Sequence, residues 1–159
     1  MALKGDRKIV DTDISFFMNE VSSRGCVVVY STVGSGAALD QSAALVTVTS
    51  SPSGKAPAGL LLNDMVDIDQ TRQHINFLKD EMIKGSKVTL LTRGEVLTDQ
   101  IVSGTTPAVG NKAYLGPYGR LTPTQNATPA VTPFVGEFLS SKDEDGYCKV
   151  RINLPAPAL

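Results

Sequence analysis

Few side chains in this sequence stand at a spacing that could do chemistry. Gly34-Ser-Gly36 matches the opening of a dinucleotide-binding loop, but the third glycine of that fingerprint would fall at Leu39. No strand-loop-helix pattern surrounds it either. Ser53-Gly-Lys55-Ala56 partly matches a phosphate loop, with Thr49 where the first glycine is required and Ala56 where a magnesium-holding hydroxyl is required. Asp143-Glu-Asp-Gly146 starts like a calcium loop, yet the next alternate position is Tyr147 and no Glu follows. It reads as a solvated hairpin turn. Asp64, Asp67 and Asp69 fit no cation-binding spacing and read as an acidic loop. His74, the sole histidine, lies in a polar stretch with Arg72, Gln73 and Asn76 and has no partner placed to make it a general base. No Gly-x-Ser-x-Gly elbow occurs, and Asn126-Ala-Thr128 is a glycosylation sequon in form only. The sequence predicts no catalytic residue, no metal site and no cofactor.

Composition agrees with that reading. The chain has 159 residues, 15 Lys plus Arg against 16 Asp plus Glu, and a net charge of −1. A length of roughly 150 residues suffices for one domain that buries its own core without disulfides or metal. A balanced charge argues against a general nucleic-acid binder, which carries a basic excess to neutralise phosphates. Cys26 and Cys148 sit among apolar neighbours, the former before Val27 to Val29 and the latter between Tyr147 and Val150. Two such thiols read as small buried hydrophobes and not as a disulfide framework, with a bond between them left open. The charged start, Met1 to Lys8, lacks an apolar signal core, and no apolar run reaches the roughly 20 residues of a membrane helix. The expectation is a soluble chain in a reducing compartment, off the membrane.

The elements are mostly short strands. Cys26 to Tyr30, Ala44 to Thr49 and Ala58 to Leu62 are β-branched or leucine-rich runs between Gly, Ser and Pro turns, with Met65 to Ile68 continuing the last as a bent strand. Lys87 to Thr92 and Glu95 to Thr98 flank Arg93-Gly94 as a compact hairpin. Lys112 to Leu115 and Arg120 to Thr122 flank the turn Gly116 to Gly119. Phe134 to Leu139 and Tyr147 to Leu154 flank the acidic turn, and Cys148, Val150, Ile152 and Leu154 alternate with polar residues. That period of two describes a strand with one buried face. Residues 69–85 are ambiguous: Asp69 and Gly85 could bound a helix carrying Ile75, Leu78 and Met82, while Ile75 to Leu78 could open a strand, with a slight lean to the helix or an irregular excursion. The fold class is therefore mainly β, an antiparallel barrel or sandwich of short hairpins with at most one short helix around 69–85.

Three parts follow: residues 1–22 as an N-terminal extended segment or first strand, 23–154 as a single β-rich domain, and 155–159 as a Pro-rich tail. Ile14, Phe16, Phe17 and Met18 form an apolar cluster near the terminus. They read either as the first strand of the core or as an arm that docks on a partner, and they are the candidate partner interface.

Several runs in order are similar to small head proteins of tailed bacteriophages: Met1-Ala-Leu-Lys-Gly-Asp6, Thr12 to Phe17, Gly59 to Asp64, Thr71 to His74, Val88 to Gly94 and Ala113 to Leu115. The closing Val135 to Val150, a Gly-containing strand, an Asp-x-Asp-Gly turn and a Val-rich last strand, resembles the capsid decoration (head cement) pattern. The likeness spans nearly the whole chain and rests on the order of its motifs, since each alone is ordinary hairpin chemistry.

The resemblance implies a non-enzymatic virion protein, made in the host cytoplasm and carried on the outer surface of the capsid. As a homotrimer it would clamp neighbouring subunits of the major capsid protein, with no nucleic acid or membrane as partner. Two other readings stay open: another virion β-protein of the head-tail junction or tail, and a small β-barrel that binds a ligand or oligonucleotide. The last calls for an aromatic stacking surface with basic residues along it, and only nine aromatics are present with no basic stripe.

Overall fold

The computed structural model describes residues 3–4, 8–31, 44–62, 68–69, 74–75, 81–82, 84–85, 87–126, 128 and 130–155. Its strands are β1 (Lys8–Met18), β2 (Ser22–Ser23), β3 (Val27–Tyr30), β4 (Ala44–Thr47), β5 (Pro57–Leu62), β6 (Ile68–Asp69), β7 (His74–Ile75), β8 (Glu81–Met82), β9 (Lys87–Thr98), β10 (Lys112–Leu115), β11 (Leu121–Thr122), β12 (Phe134–Phe138) and β13 (Cys148–Asn153). The chain is mainly β, as its turn-punctuated sequence predicts. One sheet runs in the order β1-β4-β3-β5-β9-β13-β12-β10-β11, and β1 also pairs with β9. That extra pairing closes β1, β4, β3, β5 and β9 into a barrel-like ring. Strands β13, β12, β10 and β11 extend from the far half of β9 as a second layer, while β2-β8 and β6-β7 form two separate two-stranded sheets. The sheet is mixed and not purely antiparallel, because β1 and β4 run parallel through Phe16↔Ala44, Phe17↔Leu45 and Met18↔Val46.

Two packed clusters follow from this layout. Met18, Val28, Val46, Ala58, Leu61, Val88 and Leu90 meet as one cluster with a member from every ring strand. Val27, Val29, Leu60, Leu62 and Leu91 belong to the other cluster, with Phe138, Val150 and Ile152 of the second layer. Strands β3 and β5 thus bury both faces, which is why they read as unbroken Val-Val-Val and Leu-Leu-Leu runs. Strand β13 instead alternates buried and outward residues. Burying each of these Leu or Val side chains contributes about 1.5–3 kcal/mol.

On the outer face, cross-strand register sets charges of alternating sign side by side. Lys112 faces Glu137, Glu137 faces Arg151, Arg151 faces Glu95, and Glu95 faces Lys8. The Arg151 guanidinium bonds Glu137 and also reaches Glu95 at 3.2 Å. Such exposed pairs contribute only about 0.2–1 kcal/mol each, but they fix register.

Three sequence expectations are corrected. The hairpin at Arg93-Gly94 does not form: β9 is one strand of 12 residues. Both halves are apolar and each finds partners, β5 beside Thr89 to Leu91 and β13 beside Arg93 to Thr98, so tertiary pairing overrides the local turn signal. Gly94 keeps the strand continuous through an unusual backbone, with φ +152°, where a Cβ would stand 2.2 Å from the Lys8 carbonyl oxygen. Second, the lean to a helix at 69–85 is not met among the described residues, where Asp69, His74, Ile75, Glu81 and Met82 are strand and Lys84 and Gly85 a turn: β6 pairs with β7, and β8 pairs with β2. Ser22↔Met82 pairing supplies a partner that helical spacing cannot foresee. Third, Ile68 does not prolong β5, since β6 belongs to a separate two-stranded sheet.

Replacing Gly94 with Ala should destabilise the fold by about 2–3 kcal/mol, from backbone strain plus the clash with β1. Gly104, at φ +79° with nothing within 4 Å of its Cβ position, should cost only about 1–2 kcal/mol as Ala. Urea unfolding of the two variants checks this; equal losses would contradict it.

Candidate interaction surface

Strand β1 carries the four residues singled out in the sequence, and the structure separates them. Met18 is 1% exposed and belongs to the ring cluster. Phe16 is half-buried against that cluster, its ring 5.6 Å from that of Tyr30. Phe17 is also half-buried. Ile14, in contrast, is 59% exposed. The segment is thus both a first strand and an outward-facing one, with the division falling between Ile14 and Phe16.

A bulge makes the division. Asp13 pairs with Leu90 and Phe16 with Val88, three steps along β1 against two along β9, so one residue is extra. The Asp13 carboxylate accepts a hydrogen bond from the Ser15 backbone N–H at 2.8 Å, a local bond that competes with the ladder. Inward and outward positions are therefore not set by simple alternation across this point. A second irregularity lies upstream: Ile9 pairs with Gly94 and Asp11 with Arg93, leaving Val10 unpaired and 59% exposed. Ile9 is 45% exposed beside it. Sequence reasoning missed Ile9 and Val10 because Lys8, Asp11 and Asp13 interrupt the apolar run. The signal was there in the β-branched pair itself.

Within Lys8 to Ser15 the paired residues meet β9 on one side only, and among the described residues no strand occupies the other edge. Edge strands that also present aliphatic side chains are sites of association between chains. The N-terminal end is held down: Leu3 is buried and bridges Thr98, and the Lys4 N–H bonds the Leu97 carbonyl at 3.1 Å. The Lys4 ammonium reaches Asp143 at 3.1 Å and Asp145 at 3.3 Å, and lies 4.4 Å from the centre of the Tyr147 ring. The acidic turn read as a hairpin in the sequence is therefore also a clasp for the terminus.

Other features bear on reactivity. Cys26 and Cys148 are free and buried, as their apolar surroundings suggested, and burial pushes the Cys26 thiol up to about 11. Burial raises Cys148 as well. Neither is a ready nucleophile at neutral pH. A groove of about 460 Å³ opens beside Tyr30, Pro57, Val131 and Phe134, with mostly apolar walls. Gly34 to Gly36, Asp64, Asp67 and residues 156–159 lie outside the described residues, as do the side chains of Asp69 and His74. Ser53 to Lys55 form part of the connection from β4 to β5. Comparison with known protein families and with curated proteins finds no match.

The clasp is pH-dependent with a definite sign. A hydrogen bond from the Tyr147 N–H, helped by Lys4, lowers the Asp143 pKa. Its stabilisation is present above the ordinary carboxylate range of about 3.9 and is lost as pH falls through the lowered value. Thermal unfolding from pH 6 downward should show a smaller loss for Asp143→Asn than for the wild type. Parallel curves would contradict the clasp.

Proposed function

We propose that this chain is a structural virion protein that binds the outer surface of a tailed-phage capsid as a homotrimer and cements neighbouring major capsid protein subunits. The observation that carries the reading is β1, a strand paired with β9 through register irregularities that hold Val10 and Ile14, with Ile9, out to solvent along an edge unpaired among the described residues. The ordered likeness to head decoration proteins names the partner. Contact is work that this surface can do: fully burying each aliphatic side chain contributes about 1.5–3 kcal/mol, and a trimer repeats the contact. A ligand that binds only the assembled shell stabilises that shell by mass action.

Purified particles of the source phage test the reading. Quantitative mass spectrometry should find the chain on the order of hundreds of copies per particle, as lattice symmetry requires. Particles lacking it should release DNA at lower temperature. A copy number of about a dozen would point to a head-tail ring instead. Absence from particles, or unchanged heat resistance without it, would overturn the proposal.

A further inference from the structure

Tyr118 is the one described residue other than glycine with a positive φ, at φ 57° and ψ 33°. An L-residue adopts that conformation only at a cost, and such strain collects where a side chain has a task. The turn holding it is pinned on all sides. Its N–H bonds the Thr49 carbonyl at 2.7 Å, the Gly116 N–H bonds the Arg120 carbonyl at 2.6 Å, and buried Gly119 abuts Val27 so closely that a Cβ there would lie 2.5 Å from its carbonyl oxygen. The fold accepts this strain and leaves the Tyr118 ring largely in solvent. Nothing in core packing needs the tyrosine.

The ring stands at the mouth of a cleft of about 310 Å³ lined by Val21, Ser22, Val48, Gln100 and Arg120. Val21 is exposed beside it, so an aromatic and an aliphatic side chain flank the opening. Charge in the cleft is unbalanced in use. The Glu20 carboxylate accepts hydrogen bonds from the Val48 N–H and the Thr47 hydroxyl, while exposed Arg120 makes no ion pair among the described residues. An aromatic, an arginine and an aliphatic residue round a small cleft are the ingredients of an interface hot spot.

From this geometry we infer that the Tyr118 cleft is a second contact site, which takes an acidic side chain on a segment of the capsid subunit. The carboxylate meets the Arg120 guanidinium while its apolar neighbours pack on Tyr118 and Val21. This rests on the capsid reading and adds the chemistry that the partner presents.

The test is binding to shells assembled from the major capsid protein of the same genome, measured beside thermal unfolding of each variant. Tyr118→Gly should leave the unfolding midpoint unchanged or raised, because glycine adopts the turn without strain, while weakening shell binding about tenfold or more. Arg120→Glu should weaken it likewise, and Arg120→Lys should retain part of the affinity. Wild type that fails to bind shells overturns the capsid reading and this site with it. Wild type that binds while Tyr118→Gly and Arg120→Glu bind equally well overturns this site alone. A lowered midpoint with unchanged binding would show Tyr118 to be a folding residue and would also overturn it.

Discussion

The architecture depends on β9 remaining a single strand through Gly94. Its first half lies between β1 and β5 in the ring, and its second half carries β13 and the layer beyond. Leu90 contributes to one packed cluster and Leu91 to the other, so adjacent residues of one strand anchor both. A turn at Arg93-Gly94 would have freed the two layers from each other. The extended but glycine-dependent backbone there joins them and lets the Lys8 carbonyl approach, which sets β1 against β9.

The surface inherits its character from that arrangement. Where β1 meets β9 the two strands do not match residue for residue, and the mismatches place Val10 and Ile14 outside while Phe16 and Met18 pack within. A bulge re-aims side chains without breaking the sheet. The outer face of β12, β13 and β9 carries charges that answer one another across strands, which suits water. The edge of β1 and the mouth of the Tyr118 cleft carry apolar groups that nothing described covers. Contact with another molecule is the function we propose for such a surface, and buried, high-pKa thiols fit that reading better than they fit covalent chemistry.

Much of the fold was legible because burial writes itself into strand sequences. Val27 to Val29 and Leu60 to Leu62 announce strands covered on both faces, and the alternation from Cys148 to Asn153 announces one covered on a single face. What was not legible came from pairing between distant segments. Arg93-Gly94 is a good local turn, and only β5 and β13 together make it strand. The parallel contact of β1 with β4 leaves no local trace. The proposed contact surface was half legible: the Ile14 to Met18 cluster lies on β1, but the bulge between Asp13 and Phe16 decides which of its members face out. Tyr118 was hidden for the same kind of reason, since Gly-Pro-Tyr-Gly predicts a turn and not which residue takes the strained position.

The claim that joins these features is that β1 meets the capsid. Hydrogen–deuterium exchange on the free and the shell-bound chain measures it directly, residue by residue. Binding should slow exchange of backbone amides within Lys8 to Ser15, whose outer edge pairs with no strand among the described residues, while amides of β12 and β13 exchange as before. Exchange within Lys8 to Ser15 that is the same in both states would contradict the account.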